Sequence, residues 1–373
     1  MKKVAVVTNI MAPYRIPLFN ELIKYKEYEF KVFFCGLKTK DRAWEIPNNI
    51  NFQFKITSNK FIYMKGRGLK DGRAIPISYG LYNDLNNYKP DIVISSEFSV
   101  PSIISSIYCK INRKKYISWS DGTLHTEKNI SSLQKTLRKY LIKNSQSFIA
   151  SSSDTFDNYL YYGAKRELIF KSLLTVDTNF FTTEKKQYQK GKTINLVYCG
   201  SLNESKGIYN LLLLFKELIS LKEDLGLIIV GDGPERNKME EMVENLKLGE
   251  KVIFKGFLQP PQLKEVYSNS DLLIFPSLSD TFGLVVNEAM CAGLPIICSQ
   301  YAGAARDLVS DENGLIINPL RNPEELSKEI FDKFLKRPNE LVELGINSRN
   351  KILNFSPSLV SRGFYLACKS IEQ

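Results

Sequence analysis

Short, unbroken apolar runs recur along both halves of the chain, each followed by a longer stretch with helical spacing. In the first half they read "KVAVVTN", "FKVFFCG", "DIVISSE", "KYISWSD" and "SFIASS"; in the second, "TINLVYCG", "LGLIIVGDG", "KVIFKGF", "DLLIFPS" and "PIICS". A run that is apolar throughout, rather than at alternate residues, is a strand covered on both faces. Such runs separated by helices build parallel sheets. The expected fold class is α/β, with two doubly wound, Rossmann-like domains. Size agrees, because 373 residues exceed the roughly 250–300 that one core usually organises. The polar, lysine-rich stretch "TTEKKQYQKGKT" (182–193) is the expected linker. It gives domains over 1–185 and 186–355. The tail 356–373 reads as a last helix after Pro357 that packs back on the first domain.

Several classes are excluded. The charged fraction, 24%, argues against wholesale disorder. Cys35, Cys109, Cys199, Cys291, Cys298 and Cys368 form no C-x-x-C pair and are expected as buried free thiols in a reducing compartment. The start, "MKKVAVVTNIMAPYR", has four apolar residues before Thr8, short of the about 7–15 of a secretory core. No run reaches the about 18 apolar residues of a membrane span.

Charge is one-sided. Residues 1–185 hold 29 Lys and Arg against 16 Asp and Glu, a net of +13; residues 186–373 hold 22 against 24, a net of −2. A basic half points to an anionic partner such as a membrane or nucleic acid. In "SSLQKTLRKYLIKN", Leu133, Leu137, Tyr140 and Leu141 share a helical face flanked by Lys135, Arg138, Lys139 and Lys143. That is the pattern of a helix at an anionic membrane surface, and equally of an ordinary packing helix. "KFIYMKGRGLKDGR" (60–73) adds aromatics and cations in an expected loop. Such patches also bind single-stranded nucleic acid, but no nucleic-acid motif accompanies them and no nucleic-acid partner is expected.

Four motifs sit where strands end. In "VYCGSLNESKGIYNLLLLFKEL", Gly200 and Ser201 turn the chain, and Lys206-Gly207 opens a helix. Strand, turn and helix place N–H groups and the positive helix end beside an anion. An ordinary turn with an exposed lysine is the alternative, and no Walker A pattern is present. "IIVGDGPER" carries Gly231 and Gly233 without the third glycine of a dinucleotide fingerprint. "VIFKGF" ends with Phe254, Lys255 and Gly256 at a sheet's carboxyl edge. In "SDTFGLVVNEAM", Asp280 or Thr281 is the expected cap of a helix, and Gly283 admits a ligand to its start. The amides of Phe282, Gly283 and Leu284 are expected to be free there. Glu288, in the second turn, has two oxygens for the vicinal hydroxyls of a ribose. Asp280 is placed for hydroxyls of a second sugar. His125, the single histidine, and Asp121 share the loop "SWSDGTLHTEKN" after a first-half strand.

In this order, with two acids separated by seven residues and a Phe-Gly between them, the motifs resemble the donor-binding half of glycosyltransferase family 4, retaining enzymes of the GT-B fold. The resemblance covers 194–320, including "EAMCAGLPII" and "ENGLIINP". The start "NIMAPYRIPLFNEL" is similar to a subset that builds bacterial surface polysaccharides. The resemblance implies Lys206 on the donor diphosphate, Glu288 on the ribose, and the turn Asp280–Leu284 on the transferred sugar and phosphate. It places Gly200, Ser201, Gly231 and Gly233 along the donor and Phe254, Lys255 and Gly256 beside the base. Many members carry arginine where this chain has Ser201; Arg15, a candidate for acceptor or diphosphate, or Arg306 is the candidate replacement, or the site relies on Lys206 alone. The first acid, often glutamate, is Asp280 here. His125 is a candidate beside the transferred sugar, and Asp121 for the acceptor. The implied reaction moves a hexosyl or N-acetylhexosaminyl group from a UDP- or GDP-linked sugar to a glycan, expected to be lipid-linked, at the cytoplasmic membrane face. No D-x-D occurs, so no metal or other cofactor is expected and leaving-group charge falls on Lys206 and helix amides. A non-catalytic sugar-nucleotide-binding subunit and a GT-B sugar-nucleotide epimerase are the competing readings; Lys206 with the acid pair fits transfer better.

Overall fold

Every apolar run named above is a strand. The computed structural model describes residues 1–39, 44–64, 73–184 and 191–372. The described residues divide into two units, one formed by those of 1–176 together with 355–372, the other by those of 177–354. The first change of unit falls ahead of the 185/186 boundary drawn from the polar stretch, of which residues 185–190 lie outside the described residues.

In the first unit the strands are β1 (Lys2–Thr8), β2 (Tyr28–Phe34), β3 (Gln53–Ile56), β4 (Lys60–Met64), β5 (Arg73–Ile77), β6 (Ile92–Ser96), β7 (Lys115–Ser120), β8 (Ser147–Ala150) and β9 (Ile169–Lys171). Seven of them form one parallel sheet in the order β3-β2-β1-β6-β7-β8-β9. Val4, Ala5, Val6 and Val7 are all fully buried, as strands covered on both faces must be. β4 and β5 pair antiparallel. The aromatic and basic segment expected as a loop is therefore a hairpin at its ends, and its residues 65–72 lie outside the described residues.

The second unit holds β10 (Ile194–Cys199), β11 (Leu225–Val230), β12 (Val252–Gly256), β13 (Leu272–Phe275), β14 (Ile296–Ser299) and β15 (Gly314–Ile317), in the parallel order β12-β11-β10-β13-β14-β15. In both sheets the strand order reverses beside the first strand, between β1 and β6 and between β10 and β13. Ligands of open α/β sheets lie outside the carboxyl ends of strands at such a switch point.

The last helix, Pro357–Lys369, belongs to the first unit. Phe364 packs edge-on against Trp119 at 5.0 Å, and Tyr365 stacks on Tyr25 at 4.6 Å. The Thr175 hydroxyl donates to the Phe355 carbonyl, fixing the point of return. All six cysteines are free and buried. Among the described residues no helix is long and apolar enough to cross a membrane.

Candidate functional site

In the second unit, the loops after β10 and β13 are joined through one residue. The Ser205 carbonyl accepts from the amides of Leu278 (2.8 Å) and Ser279 (3.2 Å) and from the Ser277 hydroxyl (3.2 Å). Gly207 permits this contact. It adopts φ +68°, and a Cβ there would lie 2.0 Å from the Pro276 carbonyl oxygen. The result sets Lys206 beside Asp280. Its Nζ donates to Asp280 Oδ2 at 2.8 Å and to the Ser279 carbonyl at 3.4 Å, with 15% and 19% of the two side chains exposed. Two residues that sequence reasoning assigned to separate parts of the donor are thus a single ion pair at the switch point.

Asp280 and Thr281 do not cap the following helix. Leu284–Cys291 starts from Gly283, which has φ +95° and no side-chain cap. Asp280 Oδ1 instead accepts from the Phe282 amide at 3.0 Å, so that amide is engaged rather than free. The amides of Gly283, Leu284 and Val285 stand at the helix start, where no intrahelical acceptor exists.

Glu288 departs from expectation in a second way. Its Oε2 accepts from the Tyr267 hydroxyl at 2.9 Å, so one of its two oxygens is already engaged. Burial pushes its carboxyl up to about 7, against the opposing pull of the Tyr267 hydrogen bond. Sequence reasoning missed Tyr267. It is fully buried near the end of the helix Pro260–Asn269, just before β13. Its one signal was a tyrosine in a helix leading into that strand.

The remaining donor candidates separate by role. Gly231 and Gly233 pack backbone on backbone: a Cβ would lie 1.9 Å from the Gly200 carbonyl oxygen in one case and 2.4 Å from that of Leu202 in the other. Their glycine identity is explained by loop packing, without a ligand. The exposed Ser201 offers its carbonyl to the Tyr198 hydroxyl at 3.0 Å. Phe254 is half-buried on edge strand β12 with the Arg236 guanidinium 6.0 Å from its ring, and Lys255 is exposed. Gly256 accepts from the Gly231 amide. Arg306 is exposed on the short helix Ala305–Leu308.

In the first unit, the carboxyl ends of β1, β6 and β7 carry a charged cluster. Arg15 donates to Asp121 Oδ2 at 2.9 Å and to the Thr8 hydroxyl, lies 3.9 Å from Glu97, and covers the Trp119 ring at 4.4 Å. Burial works against its charge, but Tyr14, Asp121 and Glu97 outweigh it and hold the guanidinium protonated. Every one of these partners is in the first unit, where Arg15 is the cation of this cluster. Asp121 also accepts from the Ser151 hydroxyl. His125 is half-buried on the helix Leu124–Glu127, which starts from a Thr123–Thr126 capping box.

The membrane-helix expectation needs correction. On the helix Ser132–Lys143, Leu141 belongs to the core of the first unit, with Leu137 and Tyr140 packed against it. Arg138 is 8% exposed, grips Glu127 with bonds of 2.6 and 2.7 Å, and covers the Phe98 ring. Three of the four residues of the helix's apolar face are therefore packed inside while Leu133 stays 80% exposed, and Arg138 is not a surface cation. Lys135, Lys139 and Lys143 remain exposed. In urea unfolding, Arg138→Gln is expected to cost about 3 kcal/mol, because Glu127 is left buried without its cation. Changing the three lysines to Gln together should stay within about 0.5 kcal/mol of wild type per site. Equal losses would refute the distinction.

Residues 180–351 match the family model of glycosyl transferases group 1. An uncharacterized glycosyltransferase of Methanocaldococcus jannaschii, MJ1607, is 28% identical over 156 residues, 40% of this chain and 40% of that protein. The alpha-monoglucosyldiacylglycerol synthase of Streptococcus pneumoniae is 27% identical over 178 residues, 42% of this chain and 40% of that protein. The matched stretch thus spans about two fifths of each of these two relatives. The crystal structure of Anabaena Alr3699/HepE in complex with UDP superposes with a TM-score of 0.76 at 16% identity, covering 99% of this chain and all of that one. The chain therefore has the GT-B fold, and its second unit carries the match to the glycosyl transferases of group 1.

Proposed function

We propose that the protein is a glycosyltransferase that moves a sugar from a nucleotide diphosphate sugar to a glycan acceptor. The observation that carries this reading is the Lys206–Asp280 pair, 2.8 Å apart, at the switch point of the second sheet. In the transfer, the bond from the anomeric carbon to the β-phosphate oxygen breaks and a bond to an acceptor oxygen forms. The departing nucleoside diphosphate gains negative charge, which Lys206 and the amides of Gly283 and Leu284 stabilise. Asp280 holds hydroxyls of the transferred sugar, and Glu288 Oε1 accepts from the ribose. UDP is preferred to GDP as carrier, on the analogy of the Anabaena protein's bound UDP.

The finer assignments are ours as well. The chain is placed in family 4, with retention at the anomeric carbon and the acceptor proton passing to the departing phosphate. The acceptor is lipid-linked, in surface polysaccharide synthesis; the relative named for a glucosyldiacylglycerol product supports a lipid carrier. The protein works peripherally at the cytoplasmic membrane face, with Lys135, Lys139 and Lys143 contacting anionic headgroups. No metal takes part.

A thermal-shift panel of nucleotide sugars tests the reading. A true donor at 100 times its Kd should add about 2.7 kcal/mol of stability. That donor should then release its nucleoside diphosphate, and EDTA should leave the rate unchanged. No shift and no release with any nucleotide sugar would refute the function. Loss in EDTA restored by Mn²⁺ would refute metal independence alone.

A further inference from the structure

The first unit has a switch point of its own, between β1 and β6, and Glu97 is the residue that leaves it. Glu97 has φ +64°. Among the described residues, the other non-glycine residues with positive φ are Lys89, Arg113 and Lys247. Each follows the last turn of a helix (Leu81–Tyr88, Val100–Ile111 and Arg236–Asn245), where a left-handed residue commonly ends the helix. Glu97 ends a strand, where no such explanation applies. Its backbone is held from both sides: the amide donates to the Trp119 carbonyl at 2.8 Å, and the carbonyl accepts from the Ser102 hydroxyl at 2.5 Å.

The conformation sends the carboxyl toward Arg15, 3.9 Å away. Arg15 and Asp121 are enclosed, with 7% and 9% of their side chains exposed, whereas Glu97 keeps 30%. Of the three charged groups, Glu97 alone reaches outward. One guanidinium cannot neutralise two carboxylates, and burial together with Asp121 raises the Glu97 carboxyl to about 8, with Arg15 opposing. Its outward-facing carboxyl oxygens can accept from a hydroxyl. The two carboxyls make the site unfavourable to phosphate and suited to neutral polyols.

We propose that Glu97 binds hydroxyl groups of the acceptor, with Arg15 and Asp121 as the positioning residues that hold it. The proposal rests on the glycosyl-transfer reading and assigns it a second, acceptor-side carboxyl. Glycerol serves as surrogate acceptor, with the nucleotide sugar identified by thermal shift as donor. Mass spectrometry then gives the ratio of glyceryl glycoside to free sugar, and calorimetry gives the donor Kd. Glu97→Gln should lower that ratio at least tenfold with the Kd within twofold of wild type. Glu97→Gly relieves the backbone strain, so it should melt no lower than wild type and still lose the ratio; it decides the matter if the Gln variant fails to fold. An unchanged ratio in either folded variant overturns the proposal. So does a wild type that makes no glyceryl glycoside while cleaving its donor. A wild type that neither binds nor cleaves any nucleotide sugar overturns the underlying function instead.

Discussion

Replacing Lys206 with alanine is expected to lower turnover about a thousandfold while leaving the fold in place. The ammonium sits where β10 and β13 diverge, 2.8 Å from Asp280. On the proposed reading it meets there the charge that develops on a departing diphosphate. Removing one such preorganised group typically costs about 10²–10³ in rate, or about 3–4 kcal/mol of transition-state stabilisation. The effect on stability should be much smaller. Asp280 loses a partner, but its side chain is 19% exposed and its Oδ1 keeps the Phe282 amide, so water replaces much of the loss. A broken, partly hydrated pair of this kind costs about 1 kcal/mol. Asp280→Asn separates electrostatics from scaffolding. If Lys206 served only to hold Asp280, both variants would behave alike. If it carries phosphate charge, the Asn variant keeps its affinity for the free nucleoside diphosphate but transfers sugar poorly. Steady-state release of nucleoside diphosphate and calorimetry distinguish the cases, and a Lys206→Ala enzyme within tenfold of wild-type turnover would remove Lys206 from the chemistry.

The two sheets were legible because doubly covered strands must be apolar throughout, and "TINLVYCG" and "DLLIFPS" admit few other placements. The motifs after them were legible because a strand's carboxyl end is where glycine and charge are otherwise hard to explain. What the linear chain hides is which charged group turns inward. Arg138 lies between Leu137 and Lys139 in sequence and was counted with the surface cations. Its burial depends on Glu127 and on Phe98, which comes from another element. Helical spacing tells which residues share a face, but not that a cation on its border has a partner inside. Glu97 was hidden for a different reason. Left-handed backbone is usually announced by glycine or asparagine, and "SSEF" announces nothing. Tyr267 likewise meets Glu288 from 21 residues away, on a separate helix.

The second large effect concerns Glu288. Glu288→Gln is expected to weaken binding of the nucleoside diphosphate about tenfold at pH 8, and to flatten its dependence on pH below that. Burial raises the wild-type carboxyl from 4.5 to about 7, so the folded protein holds its proton where the unfolded chain has released it. Between those values the unfolded state therefore binds fewer protons, and this group's contribution to stability falls as pH rises, by up to about 1.4 kcal/mol per unit. Above about 7 both states are ionised and the contribution levels off. Binding runs the other way. A ribose hydroxyl donates to Oε1, and a carboxylate is the stronger acceptor, so affinity should climb as pH passes through about 7. Stability and nucleotide affinity thus have opposite slopes from one group. The ligand's own terminal phosphate also titrates near 6 (a typical second phosphate pKa), so the decisive quantity is wild type minus Gln variant at each pH. Tyr267→Phe gives an independent check. It removes the hydrogen bond that holds the carboxyl down, so the midpoint of the affinity change should move to higher pH while the Gln variant has none. Calorimetric titration with UDP across this range measures all three proteins. A Gln variant that keeps the wild-type slope would show that the phosphate alone is titrating, and that Glu288 does not meet the ribose.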